Sequence, residues 1–351
     1  MTDTDTDLIL AGKALRHYGI SGAEIRPLEV GLINHTWLVG TVDGKFILQK
    51  VNPMFPADIH QDIDAVTRYL HSLGMVTPLL LRTLDDQPCY AGNGEVWRLY
   101  NYLDGITVST VEDPGIAFEA GALLARFHQA LHGLDYSFNF QRPVVHDTAA
   151  HLQRLRTALE VHRQHRRYAD VLPLATEILN SAAKLPVLPD MPVRKVHGDP
   201  KINNFLFDVN TRKGICMLDF DTLANMMLPL ELGDAMRSWC NPVGENSTET
   251  FFSMENYSAG LQGYLSSAPT FVIEQEWASI LPATQIIYIE LAARFCADAL
   301  NENYFSWDST RFASHSEHSQ SRAQGQLNAY KSLKSQIHDA EKHLTDCICC
   351  H

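Results

Sequence analysis

The chain has 351 residues, enough for two lobes of ordinary domain size rather than a single core. Its 41 acidic and 28 basic side chains leave a formal charge of −13, which argues against nucleic acid as partner, because phosphate backbones demand a basic surface. Hydrophobic residues at 45% and charged residues at 20% describe an ordinary globular protein. There is no apolar run of about eighteen residues and no basic-then-apolar leader, so the expectation is a cytoplasmic protein without membrane contact.

Residues Leu8 to Tyr18 repeat apolar side chains at helical spacing and stop at Gly19, predicting an opening helix. Glu24 to Val30, Trp37 to Val39 and Lys45 to Val51 read as three strands joined by tight turns at Gly31-Leu32-Ile33-Asn34-His35-Thr36 and Asp43-Gly44. Ala57 to Leu73, with Ile59, Ile63, Val66 and Leu70 on one face and Gly74 behind it, predicts an amphipathic helix. Leu79 to Leu84 and Glu95 to Leu103 read as further strands. From Gly115 onward the pattern becomes helical: Gly115 to Leu134, a basic stretch from His146 to Leu172, a helix begun at Leu228, then Glu255 to Leu265 and Ile273 to Ala299. Arg311 to Gln324 is polar and loosely patterned, and Ala329 to Cys347 predicts a closing surface helix.

Seven cysteines are an odd number, and Cys89, Cys216, Cys240 and Cys296 sit singly in apolar or mixed segments, as thiols packed like small hydrophobes do. The tail Cys347-Ile348-Cys349-Cys350-His351 has metal-ligand residue types, but a free terminus does little to preorganise them. The histidines between His146 and Leu172 lack carboxylate or cysteine partners at ligand spacing, which favours a solvated basic helix.

The chemistry concentrates between Val196 and Thr222. Two apolar runs, Asn204 to Asp208 and Ile215 to Leu218, flank a polar Asn210 to Gly214 turn, which writes a hairpin. Asp199 precedes it and Asp219 follows it, so three oxygen-bearing groups, Asp199, Asn204 and Asp219, could serve one hard cation with phosphate oxygens completing its shell. His197-Gly198-Asp199, Asn204 and Leu218-Asp219-Phe220-Asp221 reproduce the spacing of the protein-kinase His-Arg-Asp loop, its Asn and the later Asp-Phe-Gly. A loose, metaphosphate-like transition state asks for alignment and charge neutralisation. Asp199 would orient the acceptor hydroxyl and take its proton, and Asn204 and Asp219 would hold magnesium. Asp221 reads either as a second carboxylate of the metal shell or as a cap on the next loop.

In this form the motif resembles the aminoglycoside phosphotransferase and choline kinase superfamily. Adding Gly31-Leu32-Ile33-Asn34-His35-Thr36 and Phe46-Ile47-Leu48-Gln49-Lys50-Val51-Asn52, the chain is most similar to the N-acetylhexosamine 1-kinase branch, from about Glu29 to about Leu333. The resemblance implies an α+β, protein-kinase-like two-lobe fold. Residues 1–103 would form a small antiparallel-sheet nucleotide lobe, with a hinge near 100–105, and residues 106–351 a mainly helical catalytic and substrate lobe. It implies ATP and Mg2+ as cofactors and a small hydroxyl acceptor, expected to be a sugar phosphorylated at its anomeric hydroxyl. Aminoglycoside, choline or homoserine acceptors stand as alternatives, as does a degenerate nucleotide-binding protein.

Gly31, Asn34 and Thr36 fall on the turn expected over the phosphates, and Tyr100 and Tyr102 flank the backbone expected at adenine. The basic residue of the third strand would stand where Gln49 is. Lys50 beside it is the substitute, although strand alternation lets only one of them face the phosphates. Asp62 and Asp64 are equal candidates for the helix carboxylate that pairs with that cation. Asp234 would support the catalytic loop. Arg294 and Tyr304, in an Arg-Phe-x-x-Asp and Tyr-Phe pattern, would contact the sugar, the alternative being an Arg294–Asp298 ion pair along one helix face.

Overall fold

A computed structural model describes residues 3–28, 34–92, 94–140, 146–267 and 270–349. The chain divides into two units. One comprises residues 1–105, 134–141 and 218–223, and the other 106–133, 142–217 and 224–351.

The first unit carries α1 (Asp3–Arg16), β1 (Glu24–Leu28), β2 (His35–Thr41), β3 (Gly44–Val51), α2 (Ile59–Ser72), β4 (Tyr90–Gly92) and β5 (Glu95–Asn101). Its five-stranded antiparallel sheet runs in the order β1-β2-β3-β5-β4. Period-two alternation sorts the side chains onto two faces. Trp37, Val39, Leu48, Trp97 and Leu99 form a core with Ala11, Ala14 and Leu15 of α1. Thr36, Gln49, Arg98 and Tyr100, one step out of phase, point the other way.

The stretch from Leu79 to Leu84, predicted as a strand, makes only a short bridge: Leu81 N–H donates to Leu99 O at 2.8 Å and Asn101 N–H to Leu79 O at 3.1 Å. The edge of β5 from Glu95 to Trp97 is already taken by β4, which leaves that stretch only the end of the strand. The helix carboxylates of α2 serve neither Lys50 nor Arg98. Asp62 accepts from Tyr136 OH, Asn139 N–H and Phe140 N–H, tying residues 136–140 to the helix, and Asp64 pairs with Arg68 and Arg82.

The second unit is mainly helical: α3 (Pro114–His132), α4 (Thr148–Val161), α5 (Tyr168–Ala182), α6 (Leu228–Trp239), α7 (Met254–Ser266), α8 (Glu274–Ala278), α9 (Ile280–Asn301), α10 (His315–Ser335) and α11 (Ile337–Cys349). Two small antiparallel ribbons sit among them, β6 (Val193–Val196) with β9 (Ala224–Met227), and β7 (Phe205–Phe207) with β8 (Gly214–Met217). Helix α9 is apolar and long enough to cross a membrane by composition, and 89% of that stretch is buried in the protein. It is the pillar on which α4, α5, α6 and α10 pack.

Two boundaries differ from the sequence expectation. The helix expected from Ile273 to Ala299 is interrupted at Ser279, two residues before the Leu281-Pro282 step. Pro282 has no N–H to offer a preceding turn. The loosely patterned Arg311 to Gln324 lies mostly in α10, which buries Ser316, His318, Ser319, Arg322 and Gln326. A helix that buries polar side chains against partners carries no apolar stripe for a periodicity reading to find.

Candidate active site

The candidate catalytic loop, His197 to Asn204, belongs to the second unit. Strand β6 delivers His197, and Gly198 follows with φ of +84°, a left-handed conformation that side chains with a Cβ rarely adopt. Helix α6 pins this loop at several places. The buried Glu231 carboxylate accepts the N–H of His197 at 3.0 Å and of Gly198 at 2.9 Å, Ser238 Oγ accepts Ile202 N–H at 3.0 Å, and Trp239 Nε1 donates to Pro200 O at 3.0 Å. Behind Glu231 stands His128, whose Nε2 is 3.5 Å from the carboxylate and whose Nδ1 is 2.8 Å from Tyr264 OH.

Asp199 and Asn204 are brought together. Asn204 Nδ2 donates to Asp199 O at 2.8 Å and to Asp199 Oδ2 at 3.1 Å, so the amide nitrogen faces Asp199. Lys201 Nζ lies 2.5 Å from Asp199 Oδ2. Burial pushes the Asp199 carboxyl up, but Lys201, His197 and Arg237 together outweigh it and hold the group below the usual carboxylate range. Asp199 is therefore ionised and able to accept a proton.

Support for the loop comes from Glu231 rather than from Asp234, the residue expected there. Asp234 instead pairs with Arg237 at 2.9 Å, and Arg237 also reaches Glu245. Ribbon β7–β8 then carries the chain to Met217. Asp208 closes its turn by accepting Thr211 N–H at 2.7 Å and Asn210 N–H at 3.0 Å.

Asp219 and Asp221 belong to the first unit. Asp219 sits at φ 64°, ψ 64°, a left-handed conformation without the help of glycine, ahead of a 3-10 turn from Phe220 to Thr222. Aspartate is among the non-glycine residues that adopt this region most readily, and Asp86 does so as well. Both oxygens of Asp221 are engaged. The Arg98 guanidinium holds them in a two-pronged pair, its Nη2 at 2.9 Å from Oδ2, and Asn34 Nδ2 donates to Oδ2 at 2.8 Å. Asp221 is thus the countercharge of a buried arginine, not a cap on the following loop. Asn34 Oδ1 accepts Asn52 N–H at 2.9 Å, and Thr36 Oγ1 accepts from Gln49 Nε2 at 3.1 Å. Asn34 and Thr36 therefore make this polar face. Gly31 lies outside the described residues.

Lys50 is on the other face of β3, 2.7 Å from Glu95 and 3.6 Å from Asp7 of α1. The buried cation on the Asp221 side is Arg98. The sequence held a signal for it, a single charge inside the strand Val96-Trp97-Arg98-Leu99-Tyr100. Tyr100 is buried with the Arg98 guanidinium 5.3 Å from its ring centre, and Lys45 lies over the Tyr102 ring at 5.2 Å. Among the described residues no three His, Cys, Asp or Glu side chains gather as a metal site.

Arg294 and Tyr304 are brought together in the second unit, with Arg294 Nη2 3.4 Å from Tyr304 OH and its guanidinium 5.7 Å from the Phe305 ring centre. Asp298 does not pair with Arg294. It collects the N–H groups of Asn303, Tyr304 and Phe305, together with Ser319 Oγ and His315 Nε2, and so shapes the loop that presents Tyr304. One turn before Arg294, Glu290 is buried against His146 at 3.0 Å and Thr148 at 2.6 Å, contacts that span more than 140 positions and follow no local spacing.

Along the chain, an aspartate in a pinned loop, an asparagine five residues on and an aspartate after the next ribbon keep the spacing of a protein-kinase-like phosphotransferase. Residues 24–265 match the model of the phosphotransferase enzyme family, and the chain belongs to that family of small-molecule kinases. Solved structures with the same fold include amicoumacin kinase in complex with AMP-PNP and Ca2+ (16% identity, 93% of both chains, TM-score 0.61). A microcompartment-associated aminopropanol kinase gives 16% identity over 96% of this chain and 100% of that chain, with TM-score 0.63. Choline kinase from Cryptosporidium parvum Iowa II gives 14% identity over 98% and 99%, with TM-score 0.58. At these identities the likeness is one of fold.

Proposed function

We propose that this kinase transfers the terminal phosphoryl group of ATP, with Mg2+, to the anomeric hydroxyl of an N-acetylhexosamine or a related sugar. Asp199 orients that hydroxyl and accepts its proton, Asn204 and Asp219 would hold the metal that neutralises the phosphate oxygens, and Lys201 adds a positive charge beside the base. Residues 1–103 act as the nucleotide lobe, with adenine against the backbone near Tyr100 and Tyr102, and residues 106–351 carry the catalytic loop and the acceptor site. Lys50 is left as a surface ion-pair partner of Glu95. We place the reaction in the cytoplasm, without nucleic-acid or membrane partners.

The observation that carries the sugar reading is the state of the carboxylates around Arg294 and Tyr304. Glu290 is matched by His146, whose imidazole is raised above its ordinary value: burial lowers it, and Glu290 outweighs burial. Asp298 is saturated by three backbone N–H groups, Ser319 and His315. An aminoglycoside, with its several ammonium groups, needs bare carboxylates, whereas an exposed tyrosine beside an arginine suits neutral, hydroxyl-rich ligands. The net charge of −13 leaves an amino-alcohol acceptor as the second reading. A coupled ADP-release screen across N-acetylhexosamines, other sugars, amino alcohols and aminoglycosides tests this. Turnover confined to cationic acceptors overturns the sugar reading, and turnover with no hydroxylated acceptor overturns catalysis itself.

A further inference from the structure

We propose that Arg98 is a positioning residue that fixes the Asp219-Phe220-Asp221 turn in the form that ligates the metal, a task performed from β5 and steadied by Gln49. The proposal rests on the reading of Asp219 as a metal ligand.

Arg98 is only 1% exposed, and a buried guanidinium requires a countercharge and partners for its N–H groups. The carboxylates of α2 are occupied elsewhere, Asp62 by residues 136–140 and Asp64 by Arg68 and Arg82. Asp221 supplies the countercharge with both oxygens. The remaining direction of the guanidinium is fixed by Gln49 Oε1, which accepts from Arg98 Nε at 2.8 Å, while Gln49 Nε2 donates to Thr36 Oγ1 at 3.1 Å. Thr36, Gln49 and Arg98 are direct cross-strand neighbours on β2, β3 and β5, so one polar row crosses the sheet and ends on Asp221. Asn34 clamps the same carboxylate from the start of β2.

The row accounts for a glutamine at position 49. A lysine at position 49 would set a second charge against Arg98, whereas the amide accepts from one neighbour and donates to the other. It also explains how Asp219 keeps a left-handed backbone. The residue two positions on is held by a planar two-pronged pair, a geometry that lysine does not reproduce.

The test measures binding rather than turnover: calorimetric titration of AMP-PNP at a series of Mg2+ concentrations, with thermal melts of the unliganded protein alongside. Arg98→Met alone strands a buried Asp221 and is expected to melt well below wild type. The double variant R98M/D221L removes both charges and is expected to recover much of the melting temperature. It should nonetheless need at least tenfold more Mg2+ for half-maximal nucleotide binding. Gln49→Met keeps the ion pair but takes the acceptor from Arg98 Nε, so it should melt below wild type yet above R98M and shift the Mg2+ requirement in the same direction by a smaller factor. A wild-type Mg2+ requirement in R98M/D221L overturns the proposal, and if that protein does not fold, a wild-type requirement in Q49M does so. Asp219→Ala separates the two readings. If it too leaves the requirement unchanged, the metal assignment fails and the proposal with it; if it raises the requirement at least tenfold while the double variant does not alter it, only the role of Arg98 falls.

Discussion

Glu231 and Gly198 are joined by a 2.9 Å hydrogen bond from the backbone of the residue immediately before Asp199, the proposed base, to a carboxylate with no solvent exposure. The second oxygen holds His197 N–H at 3.0 Å, so a side chain on α6 replaces the backbone partners that an irregular loop lacks. Glu231→Gln sets an amide N–H against one of these donors. The expected cost is about 1–3 kcal/mol in urea unfolding, with kcat falling further than nucleotide affinity. Unchanged stability would show that the carboxylate does not hold the loop.

Asp199→Asn removes the proton acceptor while keeping the bonds that Asn204 makes to the loop backbone. Turnover should fall by about 10²–10⁴-fold, with AMP-PNP affinity close to wild type. A variant that retains near-wild-type turnover rules out Asp199 as the base.

The loop carrying Tyr304 hangs on one carboxylate. Asp298→Ala strips the acceptor from Asn303, Tyr304 and Phe305 N–H at once. KM for the acceptor should rise at least tenfold, with KM for ATP within about twofold, as expected when only one substrate's positioning is lost. Equal changes in both KM values would place this loop away from the acceptor.

His60 is fully buried beside Arg98, and burial with that neighbouring charge pushes its imidazole down to about 4. Because the unfolded chain binds this proton near pH 6.5 and the folded protein does not until about pH 4, the contribution is complete above about 6.5. It declines by up to about 1.4 kcal/mol per pH unit as pH falls toward 4. His318 titrates in the same window, so the measurement is the difference between wild type and His60→Gln in urea unfolding from pH 7 to 4.5. A variant with the same slope as wild type overturns the assignment. His146 works in the opposite sense: its raised value stabilises below about 6.5, and that stability is lost as pH rises through the folded value.

Helices α3 and α7 meet through glycines. A Cβ on Gly263 would lie 1.9 Å from Phe118 O, and one on Gly121 would lie 2.2 Å from Gly260 O. Gly263→Ala forces these backbones apart, with an expected loss of about 1–3 kcal/mol seen as a lower melting temperature. Nucleotide and acceptor KM should stay near wild type in the folded fraction. A gain in stability would show that the helices are not in backbone contact.

The hairpin between Asn204 and Leu218, the antiparallel strands from Glu24 to Val51, and Asp199 with Asn204 were legible in the sequence, because each depends on local order. Turn residues, period-two alternation and a fixed interval between two side chains are written in neighbouring letters. What the chain order does not contain is which distant charge meets which. Arg98 and Asp221 are separated by 123 positions, Glu231 lies 33 residues beyond Gly198, and Asp298 reaches His315 across 17. None of these pairs has a period, since each exists only to satisfy a buried charge or an unpaired N–H once the elements have packed. Tertiary structure therefore decided that Arg98 and not Lys50 shares a face with Asp221, that Glu231 and not Asp234 holds the catalytic loop, and that a helix of polar residues could be a buried one.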